Sequence, residues 1–165
     1  MSGKRRSYEA GHRPKFLVVV DETPECARAI HFASRRAART GASMLMLSIV
    51  EPPANFEWLG VGEAMIEEAR KAAEKRLEEA ARETRTAAGV EPEQVIRIGE
   101  SADTIVKLID EDEDISFLVL AAGTGKDGPG PLVSSLASRV ASTFPVPIVV
   151  VPGSLSDEEI DALAG

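Results

Sequence analysis

Residues 116–152 read SFLVLAAGTGKDGPGPLVSSLASRVASTFPVPIVVVP, and the order of residue types predicts a strand, a glycine-rich loop, a short helix and a second strand. Phe117 to Leu120 is a continuous apolar run closed by Ala121 and Ala122, the pattern of a strand covered on both faces. Gly123, Gly125, Gly128 and Gly130 then let the backbone take turns that a side chain would obstruct. A loop at the carboxyl end of a buried strand, opening a helix, is where an open α/β sheet holds a ligand. The remaining chain reads as the housing for this unit.

Upstream, Phe16 to Val20 is another short apolar strand, and Asp21 follows it directly. Thr23 as cap, Pro24 at the first helical position and Glu25 behind it predict a helix start near Pro24. Cys26, Ala29, Ile30, Ala33 and Ala37 recur at helical spacing, and Gly41 ends that helix. Met44 to Val50 is the next strand, stopped by Glu51-Pro52-Pro53. Phe56 and Trp58 lie in the following loop, either as a lid over the site or, the favoured expectation, packed against the long helix Glu63 to Ala88, whose apolar stripe includes Met65, Ala69, Ala72, Ala73 and Leu77. Val95 to Ile98 predicts a short strand, and Ser101 the cap of a helix carrying Ala102, Ile105, Val106, Leu108 and Ile109. The acidic turn Glu111 to Asp114 reads as a polar stop with no visible partner in the sequence. Residues 154–165, SLSDEEIDALAG, carry a cap at Ser156 and predict a short acidic amphipathic helix. The alternation implies an α/β domain: a five-stranded, mainly parallel open sheet with right-handed crossovers, helices on both faces, and a short C-terminal helix.

The chain of 165 residues suits one domain, and its net charge of -8 is unevenly spread. Residues 1–14 form a basic leader, expected to be flexible. Counted through Lys15, Lys4, Arg5, Arg6, Arg13 and Lys15 against Glu9 give +4, which leaves -12 on the rest. An acidic body repels nucleic-acid phosphates and anionic membrane, so neither is an expected partner. One cysteine, Cys26, and the lack of a secretory or long apolar span point to a reducing cytoplasm. His12 and His31 are isolated, so there is no metal-ligand spacing and no nucleophilic triad to propose: no metal site and no catalytic residue are predicted.

Several segments together resemble the universal stress protein family: the first strand ending in Asp21, Leu47-Ser48-Ile49-Val50-Glu51, Gly99-x-x-Ala102-x-x-Ile105, Leu118-Val119-Leu120 feeding the glycine loop, and Phe144-Pro145-Val146-Pro147-Ile148-Val149-Val150-Val151-Pro152. The resemblance spans about residues 15–152 and implies a Rossmann-like fold of the adenine nucleotide alpha hydrolase type, with a domain over residues 15–153 and an acidic tail over 154–165. Some members bind ATP. Carried over, Asp21 and Ile49 would face the nucleoside, and Ala122, Gly125, Ser134 and Ser135 fall at the phosphate-holding positions of the family's loop; apart from that register, Gly123 and Gly128 can add to an N–H concavity and Lys126 adds a charge. Ala122 and Ser134 stand where the family's motif has glycines, and Pro129 and Pro131 lack phosphate donors. ATP or AMP is the implied ligand, with Mg2+ only as its counter-ion.

Two functions of different class follow. One is a stress-response or regulatory protein that binds an adenine nucleotide without dedicated turnover. The other is a homodimer joined through the last strand, Ile148 to Val151, that acts by protein contact. A slow ATPase using Asp21 or Asp127 to orient a metal or water is a third, weaker option.

Overall fold

The computed structural model describes residues 4–52, 62–140 and 143–165. The expected aromatic loop with Phe56 and Trp58 lies outside the described residues. The strands are β1 (Lys15–Val19), β2 (Ser43–Val50), β3 (Glu93–Ile98), β4 (Ile115–Ala122) and β5 (Ile148–Pro152). They alternate with α1 (Cys26–Thr40), α2 (Gly62–Ala88), α3 (Ser101–Glu111), α4 (Pro131–Val140) and, after β5, α5 (Asp157–Ala164). All four pairings are parallel, in the order β3-β2-β1-β4-β5. The order reverses between β1 and β4. The carboxyl ends flanking that reversal form the crevice in which such sheets take ligands.

The period of two along β1 sorts the core into two layers. Phe16 and Val18 face α1, α2 and α5, while Leu17 and Val19 face α3 and α4. On the first side, buried Cys26, Ala29, Ala33 and Ala37 let α1 approach the sheet closely, and Phe16 stacks on Phe117 with ring centroids 4.2 Å apart. On the second, Ile105, Ile109, Leu118 and Leu136 are wholly or almost wholly buried. Strand runs without polar residues are therefore explained by burial on both faces.

Three local expectations are corrected. The α1 helix begins at Cys26, not Pro24, and no side chain caps it. Thr23 instead gives both its N–H and its hydroxyl to Asp21 Oδ1, at 2.9 and 2.6 Å, because a short carboxylate two residues back closes a tight turn first. The α3 helix is capped by the Glu100 carboxylate, which accepts from the Ala102 and Asp103 amides, and Ser101 is the first helical residue. In α2 the expected stripe does not pack along its whole length: Met65 is 51% exposed and burial becomes continuous only from Ala73 and Leu77 onward.

The acidic turn also has partners. Arg5 Nη1 donates to the Asp112 carbonyl at 2.8 Å, His12 Nδ1 lies 2.6 Å from Asp114 Oδ1, and Lys15 bridges Asp112 and Glu93 at 2.7 and 2.8 Å. The leader is laid along the amino end of the sheet, where Ser7 is buried. Sequence spacing hides these pairs because they close across about a hundred residues. At the other terminus Ser156 and Glu159 form the reciprocal capping box of α5. Ile160 and Ala164 are fully buried against α1, and Asp157 and Asp161 meet Arg28 and His31 at 2.6 and 2.7 Å. Among the described residues, no helix is long and apolar enough to cross a membrane.

Candidate functional site

A cleft of about 740 Å³ opens at the carboxyl ends of β1 and β2, within the roughly 300–1,000 Å³ typical of small-molecule sites. Val19, Asp21 and Thr23 form one wall, and Ile49, Val50 and Glu51 the floor beside them. Glu100 and Ser101 at the start of α3 close one side, while Pro131, Leu132 and Ser135 of α4 close another. The α2 helix overhangs it with Ala69, Ala72, Ala73 and Arg76, three small side chains and one long cation. The exposed Ala69 and Ala72 are thereby explained: they border the cleft and not the sheet.

The walls are held by polar contacts that leave specific atoms free. Asp21 Oδ1 is occupied by Thr23, whereas Oδ2 has no protein partner among the described residues. A carboxylate so oriented can accept a ligand hydroxyl. Glu51 Oε1 accepts from the amide and hydroxyl of Ser101, and the Gly99 amide donates to the Val50 carbonyl at 3.0 Å. These bonds pin the β3–α3 junction to the end of β2. Ser48, fully buried, donates its hydroxyl to the Val20 carbonyl at 2.8 Å and accepts from Arg76 Nη1 at 3.2 Å.

The structure brings together Asp21, Ile49 and Ser135 of the residues that the sequence selected, and not the others. Ala122, Gly123, Gly125, Lys126, Gly128 and Ser134 do not line the cleft. The glycine loop closes on itself: the Gly123 amide donates to the Pro129 carbonyl at 3.0 Å, Gly128 to Gly125 at 3.2 Å, and Ser134 to Gly130 at 3.1 Å. A phosphate cradle needs those N–H groups aimed at the ligand. Glu25 adds a charge of the wrong sign, since a Cβ placed on Gly123 would stand 3.1 Å from its Oε1. The amides of Gly123 and Gly128 are thus spent within the loop, which stands outside the lining of the cleft.

Sequence reading missed Arg76, Ser48, Glu25, Glu100 and Gly153. Gly153 is required by contact: a Cβ there would come within 2.5 Å of the Ala122 carbonyl oxygen. Its position one residue after the apolar β5 run was the available signal. Arg76 carried no signal, being one of many charges on a solvated helix. Beside the cleft, Cys26 contributes to a second cavity of about 110 Å³ with Leu120, Pro129 and Pro131. Burial pushes its thiol up to about 11, which suits a packed apolar group and not a nucleophile.

The order of strands, the crevice at its reversal point and the cleft lined by the first two strand ends define a doubly wound α/β domain. The sequence model of the universal stress protein family matches residues 12–152, and the chain belongs to that family. Its fold is shared with universal stress protein UspA from Lactobacillus plantarum at 20% identity and a TM-score of 0.70, covering 84% of this chain and 97% of that one. A universal stress protein from Archaeoglobus fulgidus matches at 20% identity and a TM-score of 0.62, over 84% and 93% of the two chains. A universal stress protein crystallised in complex with cAMP matches at 22% identity and 0.61, over 86% and 98%. No curated protein matches the chain significantly.

Proposed function

We propose that this universal stress protein domain binds an adenine nucleotide in the cleft at the ends of β1 and β2, and acts by occupancy and not by turnover. The observation that carries the reading is the junction of Asp21, Ile49 and Ser135 around one cavity of about 740 Å³. The free Oδ2 of Asp21 suits a ribose hydroxyl, and the apolar Ile49 and Val50 suit the base. The cAMP complex of a protein of the same fold supports the ligand class. Mg2+ would enter only with the phosphates. Titration calorimetry with adenosine, AMP and ATP tests it: binding that Asp21→Ala weakens at least tenfold is expected, and a wild-type protein indifferent to all three at millimolar concentration would overturn the proposal.

A second reading rests on a separate observation. Strand β5 is an edge of the sheet, and Val150 on it is 43% exposed. A flat apolar edge invites pairing with a second copy. Sedimentation at tens of micromolar is expected to give a dimer that Val150→Lys dissociates. A wild-type monomer would remove this reading and leave the cleft untouched.

A further inference from the structure

Resting on the reading that a nucleoside occupies the cleft, we propose that Arg76, and not the glycine loop, is its anion anchor, and that the ligand it selects is a nucleoside monophosphate. Among the described residues, the charges lining the cleft are Asp21, Glu22, Glu51, Glu100 and, of opposite sign, Arg76. Arg76 is half-buried, so its guanidinium stands over the cleft and not free in solvent.

Its orientation is built, not incidental. The hydroxyl of Ser48 has one proton, and that proton goes to the Val20 carbonyl at 2.8 Å. A lone pair of the same oxygen is then left to accept Arg76 Nη1 at 3.2 Å. Ser48 is fully buried and cannot exchange this partner for water. The guanidinium is thus tied to Val20, the residue immediately before Asp21. One of its five N–H groups is used in this way, and among the described residues the others meet no side chain. A planar fork with free donors is the group that binds phosphate bidentately. Ala69, Ala72 and Ala73 beside it leave the room that such a ligand needs.

The electrostatics set the number of phosphates. Four carboxylates face one cation, so each phosphate beyond the first would meet repulsion without a further counter-charge. At about 4 Å a like pair costs on the order of 1 kcal/mol in water and about 4 kcal/mol at an effective dielectric constant of 20. The glycine loop stands outside this lining, its Gly123 and Gly128 amides are bonded within the loop, and Glu25 lies over Gly123. One phosphate on Arg76 is what this charge pattern accommodates.

The test is calorimetry of the full chain with adenosine, AMP and ATP in the presence of a chelator. Wild type is expected to bind AMP at least about tenfold more tightly than adenosine, the worth of one charge-assisted pair, and ATP no more tightly than AMP. Arg76→Met should bring AMP down to the adenosine value and leave adenosine itself unchanged. Arg76→Lys, which keeps the charge and loses the fork, should fall between, and Ser48→Ala should lose part of the advantage. If Arg76→Met and Arg76→Lys keep the full AMP advantage while adenosine still binds, the anchor is wrong and the nucleoside reading stands. If ATP binds tenfold more tightly than AMP, the single-phosphate selection is wrong. If wild type binds neither adenosine nor AMP, the reading beneath both falls.

Discussion

The two ends of the sheet are both rich in acid, and they treat it differently. At the amino end, Asp112, Asp114 and Glu93 are met by Lys15, His12 and Arg5, drawn largely from the leader. At the carboxyl end, Asp21, Glu51 and Glu100 are satisfied only by neutral donors, namely Thr23, Ser101 and the first amides of α3. Hydrogen bonding stabilises those carboxylates without cancelling their field. Charge that is neutralised has been spent on holding the fold together, whereas charge left standing around a cavity is available to a ligand. Arg76, with a cavity in front of it and a buried hydroxyl behind it, is the one cation among the described residues that line the cleft.

The comparison can be broken hardest through the backbone. Gly153→Val places a side chain within 2.5 Å of the Ala122 carbonyl and should cost about 3 kcal/mol in denaturant unfolding. A stability loss under 0.5 kcal/mol would show that the carboxyl end tolerates displacement and is not a fixed wall. Next in size is an alkaline titration that separates the ends. Below pH 9 the Cys26 thiol is protonated in both native and unfolded chains, and its contribution is complete. Between pH 9 and about 11 only the unfolded thiol ionises, so stability should fall by an amount on the order of 2–3 kcal/mol. Cys26→Ala should remove that fall.

Lys15 titrates in a later window. Burial lowers its value, but hydrogen bonds and charge from Asp112 and Glu93 outweigh that and hold it above its ordinary 10.5. Its stabilising contribution is therefore lost only as pH rises beyond 10.5, and Lys15→Met should cost about 1–3 kcal/mol at neutral pH with no change in ligand affinity. Weakened AMP binding in this variant would mean that the ends are coupled. Smaller still, Glu22→Gln should leave stability within about 0.5 kcal/mol and raise AMP affinity about two- to fivefold by removing one repulsive charge. The smallest effect belongs to Gly125→Val. A Cβ at Gly125 meets nothing within 4 Å, and the residue does not line the cleft, so AMP affinity should stay within about twofold. A large loss there would restore the glycine loop as the phosphate site.

The fold was legible because β1, β4 and β5 are built on short apolar runs and the breaks between elements carry proline, glycine or charged residues. Phe16 to Val19 and Leu118 to Leu120 are buried on both faces, and burial of that kind leaves an unambiguous pattern. Half of the candidate site was legible for the same reason: Asp21 and Ile49 sit at strand ends, and strand ends are found by finding strands. The other half was not. Whether the amides of Gly123 and Gly128 point at a ligand or at Pro129 and Gly125 depends on loop closure, which leaves no periodicity. Arg76 becomes distinctive only through Ser48, 28 residues away on another element. Thr23 and Ser101 have the composition of caps, but Asp21 and Glu100 reach the relevant donors first.

The docking of α5 on α1 has a consequence for how the protein is made. Ile160 and Ala164 complete a layer begun by Ala29, Ala33 and Ala37, and the His31–Asp161 contact spans 130 residues. During synthesis, α1 and the sheet beneath it wait with that flank uncovered until residues 157–164 have left the ribosome. The nascent protein therefore leaves uncovered a face of α1 that the finished one buries, and that interval is when a chaperone has most to protect.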